Sequence, residues 1–206
     1  DFEKERHMEL PPPKFRKYRK NGFATPSGKV ELYSTILADL DFDPLPYYRE
    51  GSRPTKEYPY TVFTGVREDP FFQTGQRNIR VLRDRCPAPK LFLHPIDAKR
   101  EDVIEDDWVC LETSSGRVTA QISVQESMRE GHVRVPHGWW YPETRGEEKL
   151  AGAFISSDAV LCSDDDEFLD LEQGVPHFKG FPGRIFKVTP PVISRTSKVL
   201  EKNDPA

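Results

Sequence analysis

Apolar and polar residues alternate in short runs along this chain, and the runs change character near Tyr58. Beyond that point Tyr60-Thr61-Val62-Phe63-Thr64 combines β-branched and aromatic residues and stops at Gly65, which predicts a strand. Leu91-Phe92-Leu93-His94 predicts another, ended by Pro95. Trp108 to Thr113, the turn Ser114-Ser115-Gly116 and Arg117 to Val124 predict a hairpin. In its second arm Val118, Ala120, Ile122 and Val124 alternate with polar residues, the pattern of a half-buried strand. Gly131 to Val135 repeats the alternation, and Arg184 to Val188 gives a last short strand. Two short helices fit between them, Gln76 to Arg83 and Pro95 to Arg100, the second with proline in its first turn. About six short strands with few helices predict a mainly β fold closed into a small barrel, which leaves no sheet edge exposed.

The pattern before Tyr58 is different. Residues 1–24 are charged and interrupted by proline, and Lys14 to Lys20 interleaves basic residues with aromatics. Thr25-Pro26-Ser27-Gly28 signals a turn. Val30, Tyr33, Ile36, Leu37 and Leu40 then recur at helical spacing, while Val30-Glu31-Leu32 alone would equally suit a short strand. The stretch from Asp41 to Pro59 is rich in proline and polar residues and reads as a linker over a surface. The organisation expected is therefore a connector and wrapping segment over 1–57, a barrel over 58–190 and a tail over 191–206.

Composition narrows the function. The 206 residues hold one domain of ordinary size plus tails, with 36% hydrophobic and 31% charged residues. A net charge of −4 gives no general pull towards nucleic acid, so the basic run at Lys14–Lys20 reads as a solvated connector. Membrane insertion is not expected either, since no apolar run approaches spanning length. Cys86, Cys110 and Cys162 are far apart, form no Cys-x-x-Cys pair and read as buried free thiols. The charged opening without an initiator Met fits a fragment or a processed chain.

Three segments carry candidate chemistry. Thr64-Gly65-Val66-Arg67 follows a strand directly; glycine there lets a ligand approach backbone amides, and Arg67 can fork onto a phosphate or carboxylate. The same four residues also suit a plain strand-ending turn. Pro70 to Asn78 gathers Phe71, Phe72, Gln73, Thr74, Gln76 and Arg77, a mix that suits a polar heterocycle or a core-facing Phe pair beside a helix cap. His137-Gly138-Trp139-Trp140-Tyr141 is the densest aromatic cluster and serves either as a barrel plug or as a pocket wall. His94 and His137 read as structural hydrogen-bonding histidines, because no carboxylate or thiol stands at ligand spacing. Asp164-Asp165-Asp166-Glu167 lacks the glycine and ligand spacing of a calcium loop and reads as solvated. Neither a Ser/His/Asp set, a Gly-rich phosphate loop nor a catalytic carboxylate pair stands out.

In order, these segments resemble the molybdopterin-dinucleotide-binding domain found at the C-terminus of dimethyl-sulfoxide-reductase-family molybdenum and tungsten oxidoreductases. The residues that carry the resemblance begin with Gly22-Phe23-Ala24-Thr25-Pro26-Ser27-Gly28-Lys29-Val30-Glu31-Leu32-Tyr33-Ser34 and Asp43-Pro44-Leu45-Pro46-Tyr47. They continue with Tyr58-Pro59, Thr64-Gly65-Val66-Arg67, Phe71 to Asn78, Leu93-His94-Pro95-Ile96-Asp97-Ala98, Asp107-Trp108-Val109 and His137-Gly138-Trp139-Trp140. The resemblance implies a six-stranded double-psi β-barrel that closes over bis-molybdopterin guanine dinucleotide holding Mo or W. It implies cofactor contacts from Thr64, Gly65, Arg67, Phe72, Gln73, Thr74, Gln76 and Arg77, a pocket wall from His137, Gly138, Trp139 and Trp140, and a pterin neighbour in Phe178 and Lys179. Two positions depart from the family pattern: Gln73 stands where His is frequent, and Asp158 lies in a loop that tends to carry Asn. Asp158 would accept bonds from a guanine or pterin donor edge.

No metal-ligating segment and no cysteine cluster is recognisable, so the metal ligand, the substrate site and any iron–sulfur cluster would belong to other domains of a parent oxidoreductase. The fragment alone is expected to turn over nothing, with the remaining domains, and electron-transfer subunits where present, as partners. Substrate, compartment and the choice of Mo or W would rest with residues outside this sequence. The rival readings are a double-psi barrel that binds a peptide or partner, and a separate small cofactor-binding subunit of a pterin enzyme. One open groove lined by Arg67, Gln73, Gln76 and Trp139 would favour the cofactor reading, and the same side chains pointing to different faces would defeat it.

Overall fold

The computed structural model describes residues 2–7, 9–48, 50–144, 149–165, 168–170 and 173–193. The chain divides into two compact units, Asp1–Arg49 and Glu50–Ala206. In the first, three short helices are found: α1 (Phe2–Glu5), α2 (Tyr18–Asn21) and α3 (Thr35–Asp39). The helix-spaced run at Val30–Leu40 forms only the single turn α3, which starts where Ser34 Oγ accepts the Leu37 N–H at 3.2 Å. Residues 30–32 form no strand, and Val30, Tyr33, Ile36 and Leu40 all stay exposed.

The second unit is built on a closed barrel. Its strands are β1 (Tyr60–Val66), β2 (Lys90–Leu93), β3 (Trp108–Glu112), β4 (Arg117–Val124), β5 (His132–Pro136) and β8 (Lys179–Lys187). Around the barrel they run β1-β5-β2-β4-β3-β8. The β1/β5 and β2/β4 pairs are parallel, and the remaining four pairs are antiparallel. Exchanging the first three barrel strands with the last three maps this pairing onto itself. Each half therefore threads through the other, the crossed topology of a double-psi barrel. Mainly β architecture with short helices is what the strand pattern predicts.

Alternation along the strands explains the core. Val62, Leu91, Leu93, Val109, Leu111, Ile122 and Val133 are completely enclosed, and Val118 and Ala120 of β4 join them. Gly183 in β8 keeps the barrel tight: a Cβ there would come 2.5 Å from Val62 Cγ2. The hairpin β3–β4 pairs as its sequence predicts, from Trp108 opposite Gln121 to Glu112 opposite Arg117.

Outside the barrel, α5 (Pro95–Arg100) forms where expected, with His94 Nδ1 accepting the Ile96 N–H. The helix predicted at Gln76–Arg83 is displaced to α4 (Arg80–Arg85). The physical reason lies upstream, because Gln73 and Gln76 adopt left-handed backbone with φ of 52° and 69°. Besides α1, α2 and the helix α6 described next, the sequence reading has no counterpart for a two-stranded ribbon of β6 (Leu169–Asp170) and β7 (Val175–Pro176) or for a 3₁₀ turn (Asp158–Leu161). The turn follows α6 (Lys149–Ser156), whose residues Leu150 to Gly152 lie in the left-handed region.

All three cysteines are free, with Cys86 and Cys110 buried and Cys162 partly so. Burial pushes the Cys110 thiol up to about 11, and burial beside Glu68 pushes Cys86 up to about 12. Among the described residues no helix is long and apolar enough to cross a membrane, and no cluster of three or more His, Cys, Asp or Glu side chains could hold a metal. Of the acidic run, Asp164 and Asp165 are exposed, while Asp166 and Glu167 lie outside the described residues.

Candidate functional site

The parallel pairing of β1 with β5 decides where the candidate segments meet. Parallel strands end at the same side of a sheet, so Gly65–Arg67 and His137–Trp140 leave the barrel together. The His137 N–H donates to the Val66 carbonyl at 2.8 Å and joins the two exits. Thr64, fully buried, fixes the start of β8 beside them: its N–H and its hydroxyl both donate to the Phe178 carbonyl, at 2.9 and 2.8 Å.

Asp158 locks these exits from below. It is completely buried; its carboxylate accepts from the Gly65 N–H at 3.0 Å and the Gly138 N–H at 2.8 Å, and stands within hydrogen-bonding distance of His137 Nδ1, at 3.1 Å. The β3–β4 hairpin holds the turn that carries Asp158. Thr113 Oγ1 donates to the Leu161 carbonyl and Ser156 Oγ to the Thr119 carbonyl. At Gly116 the Val160 carbonyl oxygen comes within 2.2 Å of where a Cβ would stand, so only glycine permits this contact.

The segment from Gln73 to Arg77 is fastened to the His137 loop by a second set of contacts. Arg77 is fully enclosed and donates to the carbonyls of Gln73 (2.6 Å) and His137 (3.0 Å). Its guanidinium carbon lies 4.8 Å from the Phe71 ring centre and 5.0 Å from that of Trp139. Burial lowers the Arg77 pKa, opposed by the charge of Glu68. Trp140 Nε1 donates to the Thr74 carbonyl at 2.6 Å, and a Cβ on Gly138 would fall 2.1 Å from Thr74 Cγ2. The walls thus touch backbone to side chain with no room for a substituent.

Between them opens a cleft of about 320 Å³ lined by Gly65, Arg67, Gln73, His137 and Phe178. Arg67 forms no ion pair with the described residues; its guanidinium rests over the exposed Phe72 ring at 5.4 Å. The structure thus sorts the candidates into two tiers. Gly65, Arg67, Gln73, His137 and Phe178 line the cleft, with Phe72 beside it. Thr64, Arg77, Gly138, Trp139 and Asp158 stand buried behind it; the Thr64 hydroxyl, the two terminal nitrogens of Arg77, the Gly138 N–H and the Asp158 carboxylate bond to other parts of the protein, while the Trp139 indole nitrogen has no partner among the described residues. Thr74 and Gln76 are exposed but outside the lining, and Lys179 opens β8 next to Phe178. The single groove expected from Arg67, Gln73, Gln76 and Trp139 therefore contains the first two. Trp139 faces inward against Phe71, Cys86 and Tyr141, because an indole of that size gains more from burial than from a wet rim.

Glu68 is a member of the site shell that sequence reasoning missed. Burial pushes its carboxyl up to about 7, with the neighbouring Cys86 thiol and the nearby charges of Arg77, Arg134 and Lys90 acting the other way. Nothing local marks it, since its buried neighbours come from distant segments. The His137–Asp158 contact was likewise invisible, although both residues were candidates.

Comparison with known proteins identifies the family. The family described as the molydopterin dinucleotide binding domain matches residues 61–168. The chain belongs to this family. An acetylene hydratase of Syntrophotalea acetylenica is 44% identical over 168 residues, covering 77% of this chain and 23% of that protein. Dimethyl sulfoxide reductase DmsA of Escherichia coli K12 is 30% identical over 145 residues, covering 63% and 18% respectively. Among solved structures, acetylene hydratase from Pelobacter acetylenicus superposes with a TM-score of 0.77 at 40% identity, over 85% of this chain and 26% of that one. This molybdopterin dinucleotide-binding domain thus spans about a quarter or less of the length of the relatives it matches.

Proposed function

We propose that this domain clamps a molybdopterin guanine dinucleotide in the cleft between Arg67, Gln73, His137 and Phe178, as the C-terminal part of a molybdenum or tungsten oxidoreductase. Bound there, the dinucleotide supplies the metal-holding dithiolene and with it the redox chemistry. The chain's own residues position it. The observation that carries this reading is Arg67: a guanidinium without an ion pair among the described residues, on a cleft that it shares with Gln73 and His137.

The residues present fit such a ligand. Arg67 offsets phosphate charge, and the exposed faces of Phe72 and Phe178 offer apolar surface to a flat heterocycle. Gly65, in left-handed backbone at φ 75°, leaves the space of a missing side chain open beside Phe178. Gln73 provides both a donor and an acceptor. The buried tier holds the backbone that carries these groups, so less ordering is required when ligand arrives. Convergence of Arg67 and Gln73 on one cleft also favours this reading over a partner-binding barrel, which has no need of it.

By the same reading Thr64, Arg77, Gly138, Trp139 and Asp158 serve the cofactor through the wall they hold. The metal ligand, the substrate site and any iron–sulfur cluster belong to further domains, and electron-transfer partners would dock there. The test is the dinucleotide content of the protein purified from cells that make the cofactor, extracted and counted per chain. Arg67→Ala is expected to lower that content severalfold with the barrel intact; unchanged content would refute the assignment.

A further inference from the structure

His137 and Asp158 form a pair whose geometry dictates more than packing. The two oxygens of Asp158 face three nitrogens. Oδ1 takes the Gly138 N–H, and Oδ2 takes the Gly65 N–H together with His137 Nδ1. Backbone amides only donate, and a carboxylate only accepts, so the proton of the third contact belongs on Nδ1. A neutral imidazole carries one proton. With Nδ1 holding it, Nε2 is left as a lone pair. Asp158 is wholly enclosed, whereas the His137 side chain keeps 30% of its surface exposed and lines the cleft. Nε2 forms no hydrogen bond with the described residues.

We infer that Asp158 holds His137 in the Nδ1–H form, so that Nε2 meets the ligand as a hydrogen-bond acceptor and selects an N–H donor edge of a heterocycle. This rests on the cofactor-binding reading above and divides its cleft into two poles. Arg67 takes the anion; His137 takes the amino or ring N–H edge of a guanine- or pterin-like group. Asp158 is a positioning residue in this scheme, since its oxygens are occupied and it does not touch the ligand. The charged groups around the ring are Asp158 beneath it, Arg67 on the same cleft and Arg77 on the His137 carbonyl. The alternative role for the ring, an imidazolium that grips phosphate, requires the proton on Nε2 as well.

The two roles separate by experiment on the 206-residue chain. Nitrogen-15 spectra of the histidine rings at about pH 8, where an ordinary imidazole is neutral, report which nitrogen is protonated. His137, assigned by its loss in His137→Ala, is expected to show protonated Nδ1 and bare Nε2, and Asp158→Ala to abolish that pattern. Should Asp158→Ala fail to fold, the wild-type spectrum decides alone. In binding measurements His137→Ala is expected to weaken guanosine diphosphate about fivefold, the worth of one hydrogen bond, and to leave inorganic pyrophosphate unchanged. A protonated Nε2 in the wild type, or an equal loss for pyrophosphate, overturns the inference while leaving the dinucleotide reading intact. Failure of both probes to bind at millimolar concentration overturns the two together.

Discussion

The barrel interior and the shell of the cleft are both fully buried, yet they are built on opposite principles. The interior is aliphatic: Leu91, Leu93, Val109, Leu111, Ile122 and Val133 touch one another without a polar atom between side chains. The shell encloses Arg77, Asp158 and Trp139 at the same depth. Apolar packing is non-directional, so the interior needs volume and alternation and tolerates exchange among similar residues. A buried charge has no such freedom. Asp158 is stable only because three N–H groups from two loops reach it, and Arg77 because two carbonyls and two aromatic faces surround it. The interior makes the fold stable; the shell makes one arrangement of the rim unique.

This contrast can be broken most forcefully from the interior. Leu111→Ala removes a fully enclosed side chain and is expected to destabilise the chain by about 2–5 kcal/mol in chemical denaturation. Nucleotide affinity of the folded fraction should not change. A loss of affinity there would mean that core and cleft are not separable.

The shell responds to pH where the interior cannot. Burial raises the Glu68 carboxyl to about 7, above its ordinary value, so the folded chain retains a proton that the unfolded chain has released. Stability should therefore be greatest below about pH 4.5 as far as this group is concerned, and fall as pH rises through 7. The difference is on the order of 3 kcal/mol. Glu68→Gln should flatten that segment of the stability–pH curve, and a slope surviving the substitution would assign it to another group.

Removing the Arg77 clip should be felt locally. Arg77→Met keeps much of the volume but leaves the carbonyls of Gln73 and His137 without their donor, a change of about 1–3 kcal/mol. Amide exchange is expected to quicken over residues 73–77 and 137–140 and to stay slow in β3 and β4. Uniform acceleration would show that Arg77 serves the whole barrel instead.

The same contrast explains what was legible in the sequence. Interior strands announce themselves, because a two-residue period in Val118, Ala120, Ile122 and Val124 is a local record of burial. Strand order does not, since the β1–β5 pairing joins residues such as Thr61 and His132 that no local pattern links. The helix predicted at Gln76 was displaced because two glutamines took left-handed turns, which propensity gives no reason to expect. At the cleft, Gly65, Arg67, Gln73, His137 and Phe178 were recognisable by type and by family resemblance. The roles of Asp158 and Arg77 were not: both read as ligand contacts, and only the folded chain reveals that their partners are the loops themselves. A ribbon as short as Leu169–Asp170 against Val175–Pro176 has too few residues for any period.

Arg67 gives the smallest expected effect on stability and the most direct test of the account. It is exposed, and Arg67→Ala should change folding stability by no more than about 0.5 kcal/mol. Calorimetric titration of guanosine diphosphate into the 206-residue chain should show one saturable site, weakened about tenfold or more by the substitution through loss of a charge-assisted hydrogen bond. No saturable binding, or equal affinity in the two proteins, would contradict the claim that this cleft is the dinucleotide site.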